Sequence, residues 1–335
     1  MKINSNIAVV VPAFQVAKNI TQVLEDMPDY IQWIIIVDDC SSDGTYESVT
    51  AKEDPRVCLI RHSENQGVGG AVLSGYNMAL TLGADIVVKM DGDGQMDPQY
   101  LPLLLQPIID GEADYVKGNR FLHSEDLAQM PWIRRIGNNG LSFWCKLTSG
   151  YWSVFDPTNG YTAIHSSIIP LLDNQYIDKR YFFEISMLIE LGLIRAVVKD
   201  VYIPAYYGNE VSSLSPIHSL FSFPWKLRKG FFRRMKIQYF IRDVGVFSVF
   251  LVIGLLMSSF GFIWGIVNWF KSVSMGVSTS TGTVMIAVLP LLLGIQFILQ
   301  ALLIDINNAP ATPVFLYKQK LLAVSKKLDP KYLSG

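Results

Sequence analysis

Cysteine is scarce in this 335-residue chain: Cys40, Cys58 and Cys145 are odd in number and unclustered, so neither a disulfide framework nor a zinc site is indicated. The histidines are as scattered, and His62, His123, His165 and His218 read as surface or packing residues. Charge is scarce too. Charged residues make up 17% of the chain and balance to a net −1, which excludes the basic face of a nucleic-acid binder. No basic-then-apolar leader precedes the first apolar run at Ile7, so no cleavable signal peptide is expected. Internal repeats and low-complexity stretches are also missing. The chain is instead rich in apolar residues, at 50% of the total, and its mean hydropathy is positive. The excess collects after residue 243.

Up to about residue 120, strand and helix patterns alternate. Ile7 to Val11, Trp33 to Val37, Val57 to Arg61, Ala84 to Met90 and Tyr115 to Gly118 are short apolar runs suited to buried strands. Ile20 to Met27 has helical spacing, and Gly67 to Leu82 reads as a longer helix. This order predicts an α/β domain with a mainly parallel sheet and helices on both faces. From 121 to 215 the pattern is less regular, with a helix at Phe182 to Leu191 and a strand at Ala196 to Val201.

Residues 216 to 242 mix aromatics with Lys226, Arg228, Lys229, Arg233, Arg234, Lys236 and Arg242, which suits amphipathic helices at a membrane surface. Val244 to Phe270 and Val284 to Ile304 are uncharged and mostly apolar. At roughly 1.5 Å per residue, each is long enough for a hydrocarbon core of about 30 Å. Basic residues precede the first span and follow the second (Lys318, Lys320, Lys326, Lys327, Lys331), while the connecting loop carries only Lys271. The positive-inside rule then makes the pair a hairpin with both ends in the cytoplasm. Pro290, Gln296 and Gln300 predict a face of the second span packed on protein. The expected division is an α/β domain over 1–215, juxtamembrane helices over 216–243, a hairpin over 244–306 and a cytoplasmic tail over 307–335. The α/β core is expected to close before the spans.

Asp91-Gly92-Asp93-Gly94-Gln95 follows the Ala84 to Met90 run directly. Two carboxylates and an amide at i, i+2 and i+4 thus stand beyond a strand's carboxyl end, where open α/β sheets bind ligands. Such hard oxygen donors suit Mg²⁺ or Mn²⁺ bridging nucleotide phosphates. Alone, the same five residues also read as a solvated turn. Pro12-Ala13-Phe14 ends the first strand with groups that frame a flat base. Val37-Asp38-Asp39-Cys40-Ser41 ends the second with acceptors for a base or ribose, and its Ser/Asp cluster equally suits a helix N-cap. Asn65-Gln66-Gly67-Val68-Gly69-Gly70-Ala71 opens a helix with small residues, allowing backbone N–H groups to approach a phosphate. Its spacing does not fit the dinucleotide fingerprint. Arg120 follows a strand. Arg134-Arg135 suit a lipid phosphate or plain solvent, and Glu184 suits a buried acid or a helix cap.

Taken in order, these motifs resemble the family 2 glycosyltransferases of the Rossmann-like GT-A fold. Pro12-Ala13-Phe14 matches the family's Pro-x-aromatic turn, Val37 to Ser41 its VDDGS-like stretch with Cys40 in place of Gly, and Asn65, Gly67, Gly69 and Ala71 its NxGxGxA loop. Asp91 and Asp93 match its DxD. Asp156-Pro157-Thr158-Asn159-Gly160-Tyr161, Gln95 and Phe183-Glu184-Ile185 look like the polyprenyl-phosphate branch, which includes dolichyl-phosphate mannose synthases. The C-terminal hairpin looks like that of the branch's bacterial members.

The resemblance implies that Asp91, Asp93 and Gln95 hold Mg²⁺ or Mn²⁺ on a sugar nucleotide's diphosphate. It assigns Pro12, Ala13, Phe14, Val37, Asp39, Gly69 and Asp91 to the nucleotide. Asp93, Arg120 and Asp156 become the catalytic set, with Arg120 facing phosphates. Asn159, Arg134, Arg135 and Ser212 belong to the sugar or acceptor. Val16 replaces an acidic residue usual in dolichyl-phosphate mannose synthases, which favours a UDP-sugar and leaves GDP-mannose open. Tyr207 to Ser213 replaces a Gly-x-Ser-Lys pattern. The implied reaction is an inverting transfer to polyprenyl phosphate at the cytoplasmic face of a bilayer, giving a lipid-linked monosaccharide. An integral protein of a bacterial inner membrane, assembled as a homo-oligomer, is expected. A processive polysaccharide synthase acting on a hydroxyl is disfavoured, since no QxxRW element is present and two spans are too few for a polymer channel. A catalytically inactive, membrane-anchored binding protein is disfavoured by the intact Asp91, Asp93 and Gln95.

Overall fold

The computed structural model describes residues 5–121, 132–204 and 216–317, with 132–134, 136 and 216–221 described by backbone alone. Seven short runs pair into one sheet: β1 (Ile7–Ala13), β2 (Trp33–Asp38), β3 (Val57–Arg61), β4 (Ile86–Lys89), β5 (Tyr115–Asn119), β6 (Thr162–His165) and β7 (Val198–Tyr202). Their order is β3-β2-β1-β4-β6-β5-β7. The pairs β1–β2, β1–β4, β2–β3 and β5–β7 are parallel, as the repeated strand–helix pattern predicts. β6 runs antiparallel to both β4 and β5. Sequence reading missed β6 because four residues, Thr-Ala-Ile-His, are too few for a period to register.

The helices are α1 (Ile20–Glu25), α2 (Thr45–Thr50), α3 (Val68–Leu82), α4 (Leu101–Ile109), α5 (Trp132–Ser149) and α6 (Phe183–Leu193). Successive side chains of a strand point to opposite faces, and β1 divides in that way. Ile7, Val9 and Val11 join a core with α1 and α4, while Ala8 and Val10 join one with α3 and α6. Gly75 lets α3 lie directly on Val10. Helix α5 occupies a stretch that reads as irregular, since four Gly and Asn residues (Gly137, Asn138, Asn139, Gly140) sit beside its arginines and blur the apolar period. Because β1 has β2 on one side and β4 on the other, the order of strand addition reverses there. Open α/β sheets place ligands at such a reversal, beyond the carboxyl ends of β1 and β4.

The chain forms two compact units, one running to Phe231 and resuming at Pro310, the other Phe232–Ala309. Both limits differ from the expected ones at 215 and 307. Helix α7 (Pro216–Lys236) adds Leu227 to a small cluster with Ile185 and Ile189, and Gly230 sits against Ile189 and Thr148. The returning chain docks as well. Buried Asp114 accepts from Val314 N (2.9 Å) and Phe315 N (3.0 Å) besides Val197 N (2.8 Å). Phe315 is 5% exposed and stacks on His165 at 4.1 Å. The α/β core therefore does not close before residue 243: residues beyond 309 complete it.

In the second unit, a turn at Ile237–Arg242 leads into α8 (Val246–Met275) and α9 (Thr281–Asn307). Both are long and apolar enough to cross a membrane, and only 22% and 11% of their most apolar windows are buried, unlike core helices of a soluble domain. Close approach between them depends on Gly254, Gly261 and Gly294, where a Cβ would meet Gly294 O, Ala287 O and Ser258. Gln296, expected on a packed face, is exposed. Arg234, expected among the surface cations, is 1% exposed and forms a fork with Asp305 (2.8 and 2.9 Å), to which Tyr239 also donates.

Asp114→Ala leaves three N–H groups without an acceptor, at about 1–3 kcal/mol each. We expect a large drop in the thermal midpoint of the detergent-solubilised protein, and a smaller drop for a chain ending at Ala309. An unchanged midpoint in both would mean that the returning segment does not stabilise the domain.

Candidate active site

β4 carries an anomaly. Lys89 lies in a strand otherwise made of Ile and Val, pairs in register with Val10, and is 1% exposed. Its ammonium meets Asp91 Oδ1 at 2.8 Å and Glu184 Oε1 at 3.3 Å. Burial opposes the charge, but the two carboxylates outweigh it and hold the Lys89 pKa above the usual lysine range. Glu184 stands in the first turn of α6, and the N-cap is Phe182 without a side-chain cap bond. The two readings of Glu184 are thereby resolved: its side chain reaches the Lys89 ammonium at the end of β4.

The turn after β4 is held by its own residues and by Asn19. Asp93 Oδ1 accepts from Gln95 N (3.0 Å), Gly94 takes φ +77°, and Asn19 donates to the Asp93 carbonyl (2.7 Å). Asp91 remains 30% exposed at its side chain, and Gln95 is exposed. Gly160 lies against Lys89, and a Cβ there would also come within 3.0 Å of Asp91 Oδ2, so a larger residue would crowd that carboxylate. Two carboxylates and an amide oxygen are a donor set that fits Mg²⁺ or Mn²⁺ retaining positions for water and phosphate. Among the described residues, no group of three or more His, Cys, Asp or Glu side chains converges as a closed metal cage.

The turns after β1 and β2 lock together. Gln15 N donates to Ser41 Oγ (3.0 Å), Val16 N to Thr45 Oγ1 (3.0 Å), and Ala17 N to Asp43 Oδ2 (3.0 Å). Phe14 stays 47% exposed at this edge, while Pro12, Ala13 and Val37 are buried in the strands behind it. Cys40 has φ +64°, a conformation glycine adopts without steric cost, which accounts for the Gly of the family pattern at this position. Asp39 is buried, and its carboxylate is engaged internally. Gln66 N (2.9 Å) and Gly67 N (2.7 Å) donate to it, and His62 Nδ1 lies at 2.7 Å. His62 is thus a buried partner of Asp39 and Ser74 rather than a surface residue.

The Gly-rich loop corrects its expected rationale. The N–H groups of Gly69 and Gly70 donate to Lys179 O (2.9 and 3.2 Å), and side chains at Gly67 or Gly69 would strike the Lys179 and Asp178 carbonyls. Its small residues serve close packing against the chain before α6, and those N–H groups are not directed at a phosphate.

On the far side of Gly160, Asp156 is 1% exposed and bound by Arg120 through Nε (2.7 Å) and Nη2 (3.1 Å), with Thr158 Oγ1 at 3.3 Å. Buried Asn159 turns its Oδ1 to Tyr161 N (2.9 Å), and its carbonyl accepts from buried Lys117. Burial pushes the Lys117 ammonium down, against the opposing pull of Glu184 and Asp156. Burial likewise pushes Asp200 up; its Oδ2 accepts from Phe155 N (2.8 Å) and Asn119 (3.2 Å). Beside Asp156 opens a cavity of about 350 Å³, lined by Arg135, Lys146, Trp152, Phe155 and Thr158 among others. Phe143, Trp144 and Phe155 are about half exposed near it, and Lys146 lies 4.0 Å over the Phe155 ring. The Arg134 side chain and Ser212 lie outside the described residues. Sequence alone assigns no definite role to Lys89, Lys117, Glu184 or His62, although lysine inside an apolar strand run is itself a signal.

The family model for glycosyl transferase family 2 matches residues 8–169. A UDP-N-acetylglucosamine–dolichyl-phosphate N-acetylglucosaminyltransferase of Methanococcus voltae is 36% identical over 190 residues, 52% of this chain and 75% of that protein. An undecaprenyl-phosphate mannosyltransferase of Micrococcus luteus is 32% identical over 157 residues, 46% of this chain and 63% of that one. A dolichol-phosphate mannosyltransferase of Pyrococcus furiosus is 24% identical over 268 residues, 78% of this chain and 72% of that one. Among solved structures, glucosyl-3-phosphoglycerate synthase from Mycobacterium tuberculosis, in complex with Mn²⁺, UDP-glucose and phosphoglyceric acid, superposes with a TM-score of 0.52. At 20% identity over 70% of this chain and 81% of that one, it supports the GT-A fold alone. Asp91 and Asp93 just beyond the end of β4, on a sheet of this order, agree with those matches: the chain is a glycosyltransferase and belongs to glycosyl transferase family 2.

Proposed function

We propose that this glycosyltransferase moves a sugar from a UDP-sugar to a polyprenyl phosphate at the cytoplasmic face of a membrane, with inversion at the anomeric carbon. The observation that carries the reading is the Arg120–Asp156 pair. An alcohol acceptor must lose a proton as it attacks and needs a base with a free oxygen. Both oxygens of Asp156 are taken up by Arg120 and the carboxylate is buried. A phosphate monoester is already ionised near neutral pH and needs positioning instead. Arg135 and Lys146 at the cavity supply cations for it, and the exposed Phe143, Trp144 and Phe155 suit an isoprenoid chain.

Asp91, Asp93 and Gln95 would hold Mg²⁺ or Mn²⁺ on the diphosphate. Bound there, the ion supplies Lewis-acid neutralisation of the departing nucleoside diphosphate. Phe14 would cover the base, flanked by Pro12 and Ala13. The UDP preference is supported by the nucleotide named for the Methanococcus relative and by Val16, which offers no carboxylate at this edge. Two apolar helices and the aromatic, basic α7 favour a membrane hairpin that keeps the domain beside its lipid substrate.

Two outcomes follow. Chelator should abolish turnover and Mg²⁺ or Mn²⁺ restore it, and Asp93→Asn should cost several orders of magnitude in kcat, about 4 kcal/mol or more; near-normal turnover of Asp93→Asn would reject the metal assignment. When polyprenol and polyprenyl phosphate are offered side by side with radiolabelled UDP-sugars, only the phosphate should be glycosylated. Arg120→Ala should be at least as damaging as Asp156→Asn. Comparable transfer to the free alcohol, with Asp156→Asn wholly inactive, would make Asp156 a general base and overturn the phosphate acceptor.

A further inference from the structure

Lys89 is a fixed positive charge where a second cation is expected. Its ammonium sits 2.8 Å from Asp91 Oδ1, inside the protein, with Glu184 as its other counter-ion at 3.3 Å. Asp91, Asp93 and Glu184 together carry three negative charges, and Lys89 cancels one of them. A divalent ion on Asp91 shares that carboxylate with the ammonium. Two cations so close, one of them enclosed by protein, repel each other strongly. An ion arriving alone meets that repulsion with only the two uncancelled carboxylate charges to offset it. One carried by a nucleoside diphosphate brings its own negative charge to the same place.

We propose that Lys89 sets the charge of this site so that the divalent ion is accepted as its nucleoside diphosphate complex and held poorly alone. This rests on the metal reading above and adds to it an order of assembly and the residue responsible. Lys89 touches neither reacting group; it is a positioning and charge-setting residue acting through Asp91. Sequence context alone does not expose it, since the lysine follows three apolar residues in β4 and reads as strand. Gly160 closes over the ammonium on the side of the Asp156 turn, which keeps solvent from screening the pair.

The test is a Mn²⁺ titration of the full-length protein in detergent, followed by electron paramagnetic resonance, with and without UDP. The wild-type protein should bind Mn²⁺ weakly alone and much more tightly with UDP. Lys89→Met removes the charge at similar length; it should tighten binding of Mn²⁺ alone by about tenfold or more and shrink the gain on adding UDP. Lys89→Arg, which keeps the charge, should behave as the wild type. Glu184→Gln leaves Lys89 wholly to Asp91 and should weaken binding of Mn²⁺ alone. A residue that only props up the turn would, when removed, lower the affinity or leave it unchanged, so an increase discriminates between the roles. Where Lys89→Met does not give a folded protein, Lys89→Gln keeps a hydrogen bond to the carboxylates without the charge and repeats the measurement. Unchanged or weaker binding of Mn²⁺ alone in a folded Lys89→Met or Lys89→Gln variant overturns the proposal. Asp93→Asn separates the two readings. If it loses Mn²⁺ with UDP while Lys89→Met matches the wild type, only the role of Lys89 falls. If Asp93→Asn binds Mn²⁺ as the wild type does, the metal site itself is wrong and both fall.

Discussion

A lysine ammonium enclosed in an apolar sheet loses its hydration, a penalty of several kcal/mol that only well-placed counter-charges offset. Lys89 imposes that condition on the centre of this domain. Its carboxylate partners come from two distant places in the chain, Asp91 on the turn after β4 and Glu184 in the first turn of α6. Gly160, on the segment leading into β6, must lack a side chain to lie against the same ammonium. Three segments spread between residues 89 and 184 are thereby tied to one buried charge. Removing either carboxylate would leave the cation undercompensated, at a cost of about 3–5 kcal/mol for a buried pair broken on one side. The turn that carries Asp91 and Asp93 is therefore positioned by the interior as much as by its own glycines.

The same rule governs the other half of the site. Asp156 is enclosed and Arg120 reaches it as a bidentate fork, a geometry that lysine does not reproduce. Lys117 is enclosed too, and it spends its ammonium on the Asn159 carbonyl. Asp156 is engaged by Arg120, and Asp91 and Glu184 by Lys89, which leaves these carboxylates poorly suited to abstract a proton. What is left is a preorganised field suited to reactants that arrive charged. Preorganisation of this kind contributes most where charge develops on a departing group in a site with little water.

Much of this was legible in the chain. The five apolar runs become β1 to β5, and the Phe182 and Ala196 patterns become α6 and β7 with limits shifted by one to a few residues. The turn after β4 stands at the reversal of strand order, where open α/β sheets place ligands. β6 and α5 were not legible. The first is too short for periodicity; the second mixes glycine and asparagine into a surface helix whose apolar face is completed only by packing on α6. The buried ion pairs escaped for a different reason. Lys89 and Glu184 are 95 residues apart, and no local pattern links them. Their trace in the sequence was negative: a lysine at a place where the strand pattern calls for another apolar residue.

The Gly-rich loop shows where motif reading reaches its limit. Glycine at the start of a helix signals that something comes close to the backbone, but not what. Here it is the chain's own carbonyls at Asp178 and Lys179, held in turn by Ser186 and by the start of α6. Asp39 behaves alike, since the N–H groups of Gln66 and Gly67 donate to it and join the β2 turn to this loop. Both features sit at the rim of the expected nucleotide crevice, yet their bonds run inward. The rim is thus made rigid by internal pairing, and the groups the fold keeps partly exposed there include the Phe14 ring and the Asp91 carboxylate. Residues with satisfied, buried bonds shape such a crevice, whereas those with remaining exposure are the ones able to discriminate among ligands.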